Sequence, residues 1–492
     1  MAGSRREIRT VRRHRVPAWW RDAKLGIFVH WTPASVPAFA PVDHEIGDLL
    51  ARRDPRALAW SPYAEWYENS LRFPDSPAAR FHAEHYPGRP YRSFVPDWEA
   101  GLAHWDPDRW AATFAATGAR YLVLVAKHHD GYCLWPTDVP NPHRPGFHSR
   151  RDVVGELAGA VRARGMRFGV YYSGGLDWTF NDHPIGSFGD LVAAQPRGPY
   201  VDYAEAHLRE LIDRYRPSVL WNDISWPGTV RQLAGVLADY YRAVPDGVVN
   251  DRFMPWSRLW ELAKSKPGRR MLDSYSARGA ATAKGLVPPK PPLFDVRTPE
   301  YAVFDRVQAL PWECVRGMDK GFGHNRLSSD EDFISRRDLL WSLTDIAAKG
   351  GNLLLNVGPR GEDASIADPQ LRRLEWLATF TDAAGAALFA TRPWVHAQGL
   401  ADGGVEVRYT ARDMTVYAFL RAAGPDGQVV APVARRAVTL KEIGATPATE
   451  VTTLDGLRLV TEPTSAGLRI ELGDDLPGEQ PFVLALTHVE AR

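Results

Sequence analysis

Two cysteines, Cys133 and Cys314, are the only thiols in 492 residues. So few exclude a disulfide framework and a multi-thiolate zinc site, leaving room for one bridge at most. No uncharged run reaches the roughly 18 residues that a membrane helix needs. The basic head, Met1 to Arg15, is not followed by an apolar segment of the secretory kind. The expectation is a cytoplasmic protein with no membrane partner, its basic head a disordered, solvated tail. An excess of charge of one sign is also missing: 60 Lys and Arg stand against 59 Asp and Glu, a formal net charge of +1. That balance gives no signal for nucleic acid and points towards neutral ligands. His-x-His and His-Glu-x-x-His are both absent, which argues against a metal site.

Aromatics, by contrast, are plentiful. Eighteen tryptophans and seventeen tyrosines exceed what a core needs, although packing accounts for most of them. The length suits one large α/β domain and a smaller second one. From about residue 25 to 360, short apolar runs alternate with amphipathic stretches, the pattern of a parallel sheet. Eight strands are predicted: Leu25 to Trp31, Tyr121 to Ala126, Phe168 to Ser173, Val219 to Asp223, Val248 to Arg252, Phe294 to Arg297, Glu313 to Arg316 and Leu353 to Val357. Eight such strands suggest a (β/α)8-like barrel, with the sixth and seventh the weakest. Apolar spacings of three and four predict helices over Arg109 to Thr117, Val153 to Arg164, Ala204 to Tyr215 and Ile334 to Ala348. After about Thr391 the period falls to two, in Val405 to Tyr409, Met414 to Leu420, Leu457 to Val460, Leu468 to Leu472 and Phe482 to Leu486, with a turn at Gly424 to Gly427. This reads as an antiparallel β-sandwich, so the chain divides into a barrel domain, 1–394, and a sandwich domain, 395–492.

In a barrel the reactive groups sit at the C-terminal ends of strands, and here those ends are polar. They read His30-Trp31, Lys127-His128-His129-Asp130, Tyr171-Tyr172-Ser173, Trp221-Asn222-Asp223, Asn250-Asp251-Arg252 and Thr298-Pro299-Glu300-Tyr301. Each has an ordinary reading on its own: Asp223 as a helix cap, Asn-Asp-Arg as a turn with an internal ion pair, Glu300 as a surface carboxylate. His-His-Asp invites a metal reading, but consecutive strand residues point to opposite faces. Together the ends would converge on one concave, sugar-sized site, where carboxylates act while aromatics pack on the sugar's C–H face.

These residues resemble, in order, the α-L-fucosidases of glycoside hydrolase family 29. The likeness is carried by Lys24-Leu-Gly-Ile-Phe-Val-His30-Trp31, Glu65-Trp66-Tyr67, Lys127-His-His-Asp-Gly131, Trp221-Asn-Asp223, Val249-Asn-Asp-Arg252 and Lys349-Gly-Gly-Asn-Leu-Leu-Leu-Asn356, and spans roughly residues 17 to 395. It implies a retaining exo-glycosidase on a (β/α)8-like barrel with a C-terminal β-sandwich, acting on fucosylated oligosaccharides or glycosides. No metal or organic cofactor is implied, and subunit number is left open. Through the family motifs Asp223 matches the nucleophile and Glu300 the acid/base. His30, Glu65, Trp66, His128, His129, Tyr171, Trp221 and Arg252 match positions that bind the sugar hydroxyls, line the C6 methyl side or orient the carboxylates. An apolar wall rejects an added hydroxyl by only about a hundredfold, so some activity on α-L-galactosides is expected.

The chain departs from the family at Thr32, where Gly is usual, at His324, where Tyr is usual, and in a long stretch from Pro255 to Pro292. That insertion leaves Glu261 and Glu313 as rivals to Glu300. It reads either as a passive surface loop or as a lid on the leaving-group side, and its eight basic residues against two acidic ones suggest a polar or anionic leaving group. Two other readings compete with the fucosidase: a non-catalytic glycan-binding protein on the same scaffold and a metal-dependent barrel hydrolase.

Overall fold

The computed structural model describes residues 2–52, 54, 57–276, 281–282, 285–421, 437–472 and 481–492. Seven strands, β1 (Leu25–Val29), β2 (Tyr121–Lys127), β3 (Arg167–Ser173), β4 (Val219–Asp223), β5 (Val248–Val249), β6 (Trp312–Arg316) and β7 (Gly351–Val357), form one parallel sheet in the order β5-β4-β3-β2-β1-β7-β6. Nearly every residue in them is buried, because helices cover one face and side chains pack within the curl of the other, which is why they read as unbroken apolar runs. Gly26 is needed for that inner packing. A Cβ there would lie 2.3 Å from Cζ of Tyr121, whose ring fills the interior.

The predicted strand Phe294 to Arg297 is reduced to isolated parallel bridges, Val296 with Asn250, Arg297 with Trp312 and, just beyond it, Glu300 with Val315. Prolines at 291, 292 and 299 remove the ladder donors a regular strand would use. The segment nonetheless lies between the two edge strands, β5 and β6. Strand β5 is shorter than predicted because Asn250 turns its side chain to the neighbouring backbone. Its Oδ1 accepts from Asn222 N at 3.0 Å and its Nδ2 donates to Asn222 O at 2.8 Å.

Around the sheet run α1 (Ala2–Arg13), α2 (Pro107–Ala116), α3 (Val153–Ala163), α4 (Phe188–Ala193), α5 (Pro199–Tyr215), α6 (Val230–Ala243), α7 (Lys266–Ser276), α8 (Arg336–Ala348) and α9 (Asp368–Leu388). All four predicted helices appear. Asp106 caps α2 by accepting from the N–H of Asp108 and Arg109, with Pro107 in the first turn.

The basic head is not the disordered tail expected of it. It forms α1, which packs on α6 and buries Val11, with Ile8 partly covered. His14 follows, stacked on Tyr241 at 3.9 Å and bonded to Asp295 at 2.9 Å. Two apolar side chains three apart hold the helix down while its arginines stay in water.

Beyond α9 the chain makes two antiparallel sheets. One, in the order β8-β9-β10-β15-β12, joins β8 (Arg392–Leu400), β9 (Glu406–Arg412), β10 (Thr415–Arg421), β12 (Ile443–Thr453) and β15 (Phe482–Ala491). The other, β11-β14-β13, joins β11 (Ala437–Leu440), β13 (Thr461–Thr464) and β14 (Gly467–Glu471). Val407, Leu420, Leu440, Ile470 and Leu484 belong to one apolar cluster between them. Leu457 to Val460 is not a strand: Gly456, at φ +93°, turns the chain there, and Arg458 makes only one bridge to Thr452. The turn expected at Gly424 to Gly427 lies outside the described residues. This unit is tied to α8 by Arg408, which pairs with Asp345 and lies over Trp341. Both cysteines are buried free thiols, and no helix among the described residues is long and apolar enough to cross a membrane.

The anchoring of α1 is open to a direct check. Val11→Asp should destabilise the protein by about 1–3 kcal/mol, since it places a charge in an apolar seat. Thermal melts should fall while kcat stays unchanged, because α1 is remote from the sheet's C-terminal edge.

Candidate active site

The C-terminal ends of the parallel strands open into a cavity of about 700 Å3. Asp223, the last residue of β4, lies on its wall. Its Oδ2 accepts from Tyr171 Oη at 2.8 Å, and its Oδ1 accepts from Ile224 N at 2.8 Å and Arg252 Nη1 at 3.2 Å. Glu300 enters from the bridged segment. Its Oε1 accepts from Tyr63 Oη at 2.6 Å and its Oε2 from Arg252 Nη2 at 2.9 Å. One guanidinium therefore bonds both carboxylates. Burial works against the charge of Arg252, yet Glu300 and Asp223 outweigh it and raise the pKa of Arg252 above its usual value. The guanidinium rests on Trp221, 4.8 Å from the ring centroid.

Each carboxylate is followed by a non-glycine residue with positive φ, Ile224 at +67° and Tyr301 at +51°. A β-branched residue in that region is strained. The surroundings enforce it: Asp223 O accepts from Ser225 N at 2.9 Å and Gly175 N at 3.2 Å, and Tyr301 N donates to Val315 O at 2.9 Å.

The histidines face the same cavity as neutral rings. Burial lowers His30 and His129 to about 4 and His128 well below its usual range. Their tautomers follow from the hydrogen bonds around them. Ser173 Oγ donates to Leu176 O at 2.7 Å, so its contact of 2.6 Å with His129 Nδ1 must take a proton from the imidazole. Asn356 Nδ2 donates to Phe322 O, which leaves its Oδ1 to accept from His30 Nδ1 at 2.5 Å. Both rings thus keep a bare Nε2, and that of His129 lies 3.9 Å from Asp223 Oδ2. His128 has a buried Nδ1 with no partner among the described residues, and its ring stacks on Tyr171 at 5.7 Å.

Glu65 completes the polar set. Burial raises it to about 7, and its Oε2 accepts from Gly323 N at 2.7 Å. Trp66 packs edge-on to His129 at 5.3 Å. All ten residues read from the sequence, Asp223, Glu300, His30, Glu65, Trp66, His128, His129, Tyr171, Trp221 and Arg252, are brought together here. Of the two rivals to Glu300, Glu261 is in the insertion, paired with Lys264 and Arg197. Glu313 is buried beneath the floor, accepting from Trp221 Nε1 at 3.1 Å and Tyr121 Oη at 2.6 Å. Asp251 does not pair with Arg252, as a turn reading would have it. It binds Arg297 Nε at 2.5 Å and Thr298 Oγ1 at 2.6 Å, pinning the segment that delivers Glu300.

Tyr63, Ser173, Asn356 and Asp251 were missed as supporting groups. Ser173, Asp251 and Asn356 carried a signal as polar residues at strand ends, the last two within family strings, whereas Tyr63 carried none. Lys127 and Asp130 leave the cavity to its neighbours. Lys127 forms a fully buried pair with Asp177 at 2.8 Å, and Asp130 accepts from Tyr91 Oη at 2.8 Å. Among the described residues no group of three or more His, Cys, Asp or Glu is placed to hold a metal.

The insertion covers part of the cavity, and Asp273, Ser274 and Leu286 to Pro289 line it. Its described basic residues do not. Arg269 pairs with Asp190 at 3.0 Å, and Arg258, Lys264, Lys266, Arg270 and Lys290 are exposed away from the cavity lining. Arg278 and Lys284 lie outside the described residues. The described cations of the insertion thus lend no support to a polar or anionic leaving group; they serve its docking and its solvation.

The model of the family described as alpha-L-fucosidase matches residues 4–386. The chain belongs to the alpha-L-fucosidase family. A solved structure titled alpha-L-fucosidase superposes with a TM-score of 0.82 at 34% identity, covering 98% of this chain and 99% of the other. The Thermotoga maritima alpha-fucosidase in complex with a mechanism-based inhibitor gives 0.79 at 33%, over 97% and 98%. The tissue alpha-L-fucosidase of Rattus norvegicus is 29% identical over 484 residues, 96% of this chain and 89% of the relative. The family resemblance read from the sequence motifs therefore holds, and with it the reading of the chain as a fucosidase.

Two outcomes follow from the site's geometry. Replacing His128 or His129 by Phe should lower kcat/KM by an amount worth about 1–4 kcal/mol with little loss of melting temperature. A lower melting temperature with unchanged kcat/KM would make the rings structural instead. Glu313, raised by burial to about 7, adds to stability while it is neutral: fully so below its unfolded value, and progressively less as pH rises through about 7. Glu313→Gln removes that dependence, so its melting temperature relative to the parent should be higher at pH 8 than at pH 5.

Proposed function

We propose that this chain is a retaining exo-α-L-fucosidase with Asp223 as nucleophile and Glu300 as acid/base. The observation that carries the reading is the single Arg252 guanidinium bonded to both carboxylates inside the cavity. A guanidinium is short, and retention needs two carboxyl groups about 5–5.5 Å apart.

In this scheme Asp223, oriented by three donors, attacks the anomeric carbon of a terminal fucoside. The bond to the leaving oxygen breaks as Glu300 gives that oxygen its proton. The sugar is then an ester of Asp223. Glu300, now a carboxylate beside Arg252, takes a proton from water, which attacks the same carbon, frees Asp223 and restores the original configuration. Arg252 serves both half-reactions, because negative charge leaves Asp223 in the first step as it appears on Glu300. The bare Nε2 atoms of His30 and His129 accept from sugar hydroxyls, as does Glu65, while Phe28, Trp221 and Phe322 supply apolar wall for the methyl group of a 6-deoxy sugar.

The same reading takes residues 294–300 as the eighth strand of a closed (β/α)8 barrel, supported by bridges to both edge strands. It divides the chain near residue 394 into barrel and sandwich domains. Fucosylated oligosaccharides or glycosides are the substrates.

The scheme is checked by two variants. Asp223→Gly should abolish turnover without unfolding, and azide should restore release of an activated aryl leaving group. Glu300→Ala should impair hydrolysis of a disaccharide far more than that of a 2,4-dinitrophenyl fucoside, since a good leaving group needs no proton. Near-parental turnover of Asp223→Gly without azide would remove the nucleophile. The same leaving-group dependence in Glu313→Ala instead of Glu300→Ala would move the acid.

A further inference from the structure

The cavity holds more than the sugar site. At about 700 Å3 it falls in the range that encloses drug-sized ligands, and its polar groups account for only part of its wall. Much of the remainder is apolar: Leu286, Val287, Pro288 and Pro289 from the insertion, with Phe188 and Leu191 from α4.

We infer that this apolar wall is a leaving-group subsite for a flat, apolar aglycone, an aryl group in particular. The inference rests on the function proposed above and adds the substrate class. Its position is set by the backbone. Glu300 N donates to Leu286 O at 2.7 Å and Leu286 N donates to Glu300 O at 2.9 Å, so the wall is joined to the residue that protonates the departing oxygen.

Ser187, Asp273 and Ser274, the polar side chains that α4, the residue before it and the insertion place next to this wall, already have partners. Ser187 Oγ accepts from Asp190 N at 3.2 Å and donates to Asp190 Oδ2 at 3.1 Å, capping α4. Asp273 Oδ1 accepts from Gly189 N at 2.7 Å, which latches the insertion to that helix, and Ser274 Oγ donates to Arg270 O at 3.0 Å. A saccharide leaving group would find few groups here to replace the water around its hydroxyls, and desolvating them is costly. An aromatic ring gains area on valine, leucine and proline and can meet Phe188, which is itself 40% exposed.

The test uses the full chain and three probes: α-L-fucosyl fluoride, phenyl α-L-fucoside and 2-naphthyl α-L-fucoside. The two aryl fucosides differ little in leaving-group acidity, so their ratio of kcat/KM reads the wall. The naphthyl compound should be preferred by about tenfold, as befits the extra apolar area. Val287→Ser and Phe188→Ser should each erase most of that preference while leaving fucosyl fluoride hydrolysis intact, which also shows that the variants are folded. Calorimetric titration with 2-naphthol should show binding that weakens at least about threefold in both variants, whereas N-acetylglucosamine should bind neither the parent nor the variants measurably. An unchanged naphthyl-to-phenyl ratio in both variants, or N-acetylglucosamine binding tighter than 2-naphthol, overturns the subsite. Failure to hydrolyse fucosyl fluoride would instead overturn the proposed function, and the naphthol titration would still decide the subsite by itself.

Discussion

The site depends on one largely covered cation held between two anions. Taking a guanidinium and two carboxylates out of water is costly, and the arrangement survives because every partner is a hydrogen-bond donor or acceptor in good geometry. Arg252 lies over Trp221, Trp221 is held by Glu313, and Glu313 is held by Tyr121, which fills the interior because Gly26 leaves room for it. Charges at the mouth of the sheet are thus positioned by packing at its centre. A defect several residues below the cavity would be felt as a misplaced guanidinium before it was felt as lost stability.

Much of the site was legible because strands advertise their ends. A run such as Val-Leu-Trp that stops in Asn-Asp puts a carboxylate at a predictable edge, and six such edges point to one place. What was not legible came from loops and from side-chain partners far apart in sequence. Tyr63 gives no local sign that it will bond Glu300, 237 residues away. Asp251 reads as the partner of its neighbour Arg252, yet the fold offers it Arg297 and Thr298. The head of the chain misled for another reason. Its arginines dominate the composition, while Ile8 and Val11, three apart, are the pair that decides where it lies. In the antiparallel unit β8 was invisible because it is half exposed along its whole length.

The division of labour between strands and insertion is also physical. Strand ends are rigid and carry the charged groups, whose placement must be accurate. Among its described residues the insertion turns one charge, Asp273, towards the cavity, and that carboxylate also holds the insertion to α4. Its composition is therefore a poor guide to its ligand: the net charge of a segment describes its outer side, and the inner side is set by the few residues that the backbone turns towards the cavity.

The bare Nε2 atoms of His30 and His129 have a consequence for recognition. Each ring is fixed as an acceptor by a neighbour that has no proton left to offer, and burial keeps it from gaining one at neutral pH. Such imidazoles read the hydrogen of a hydroxyl and are blind to its oxygen. A sugar whose hydroxyls are methylated keeps its ring and its oxygen acceptors, but it has nothing to give these two atoms. Under the proposed function the pocket is in that sense a sensor for protons on the sugar, and capping them is the chemical change it is least equipped to tolerate.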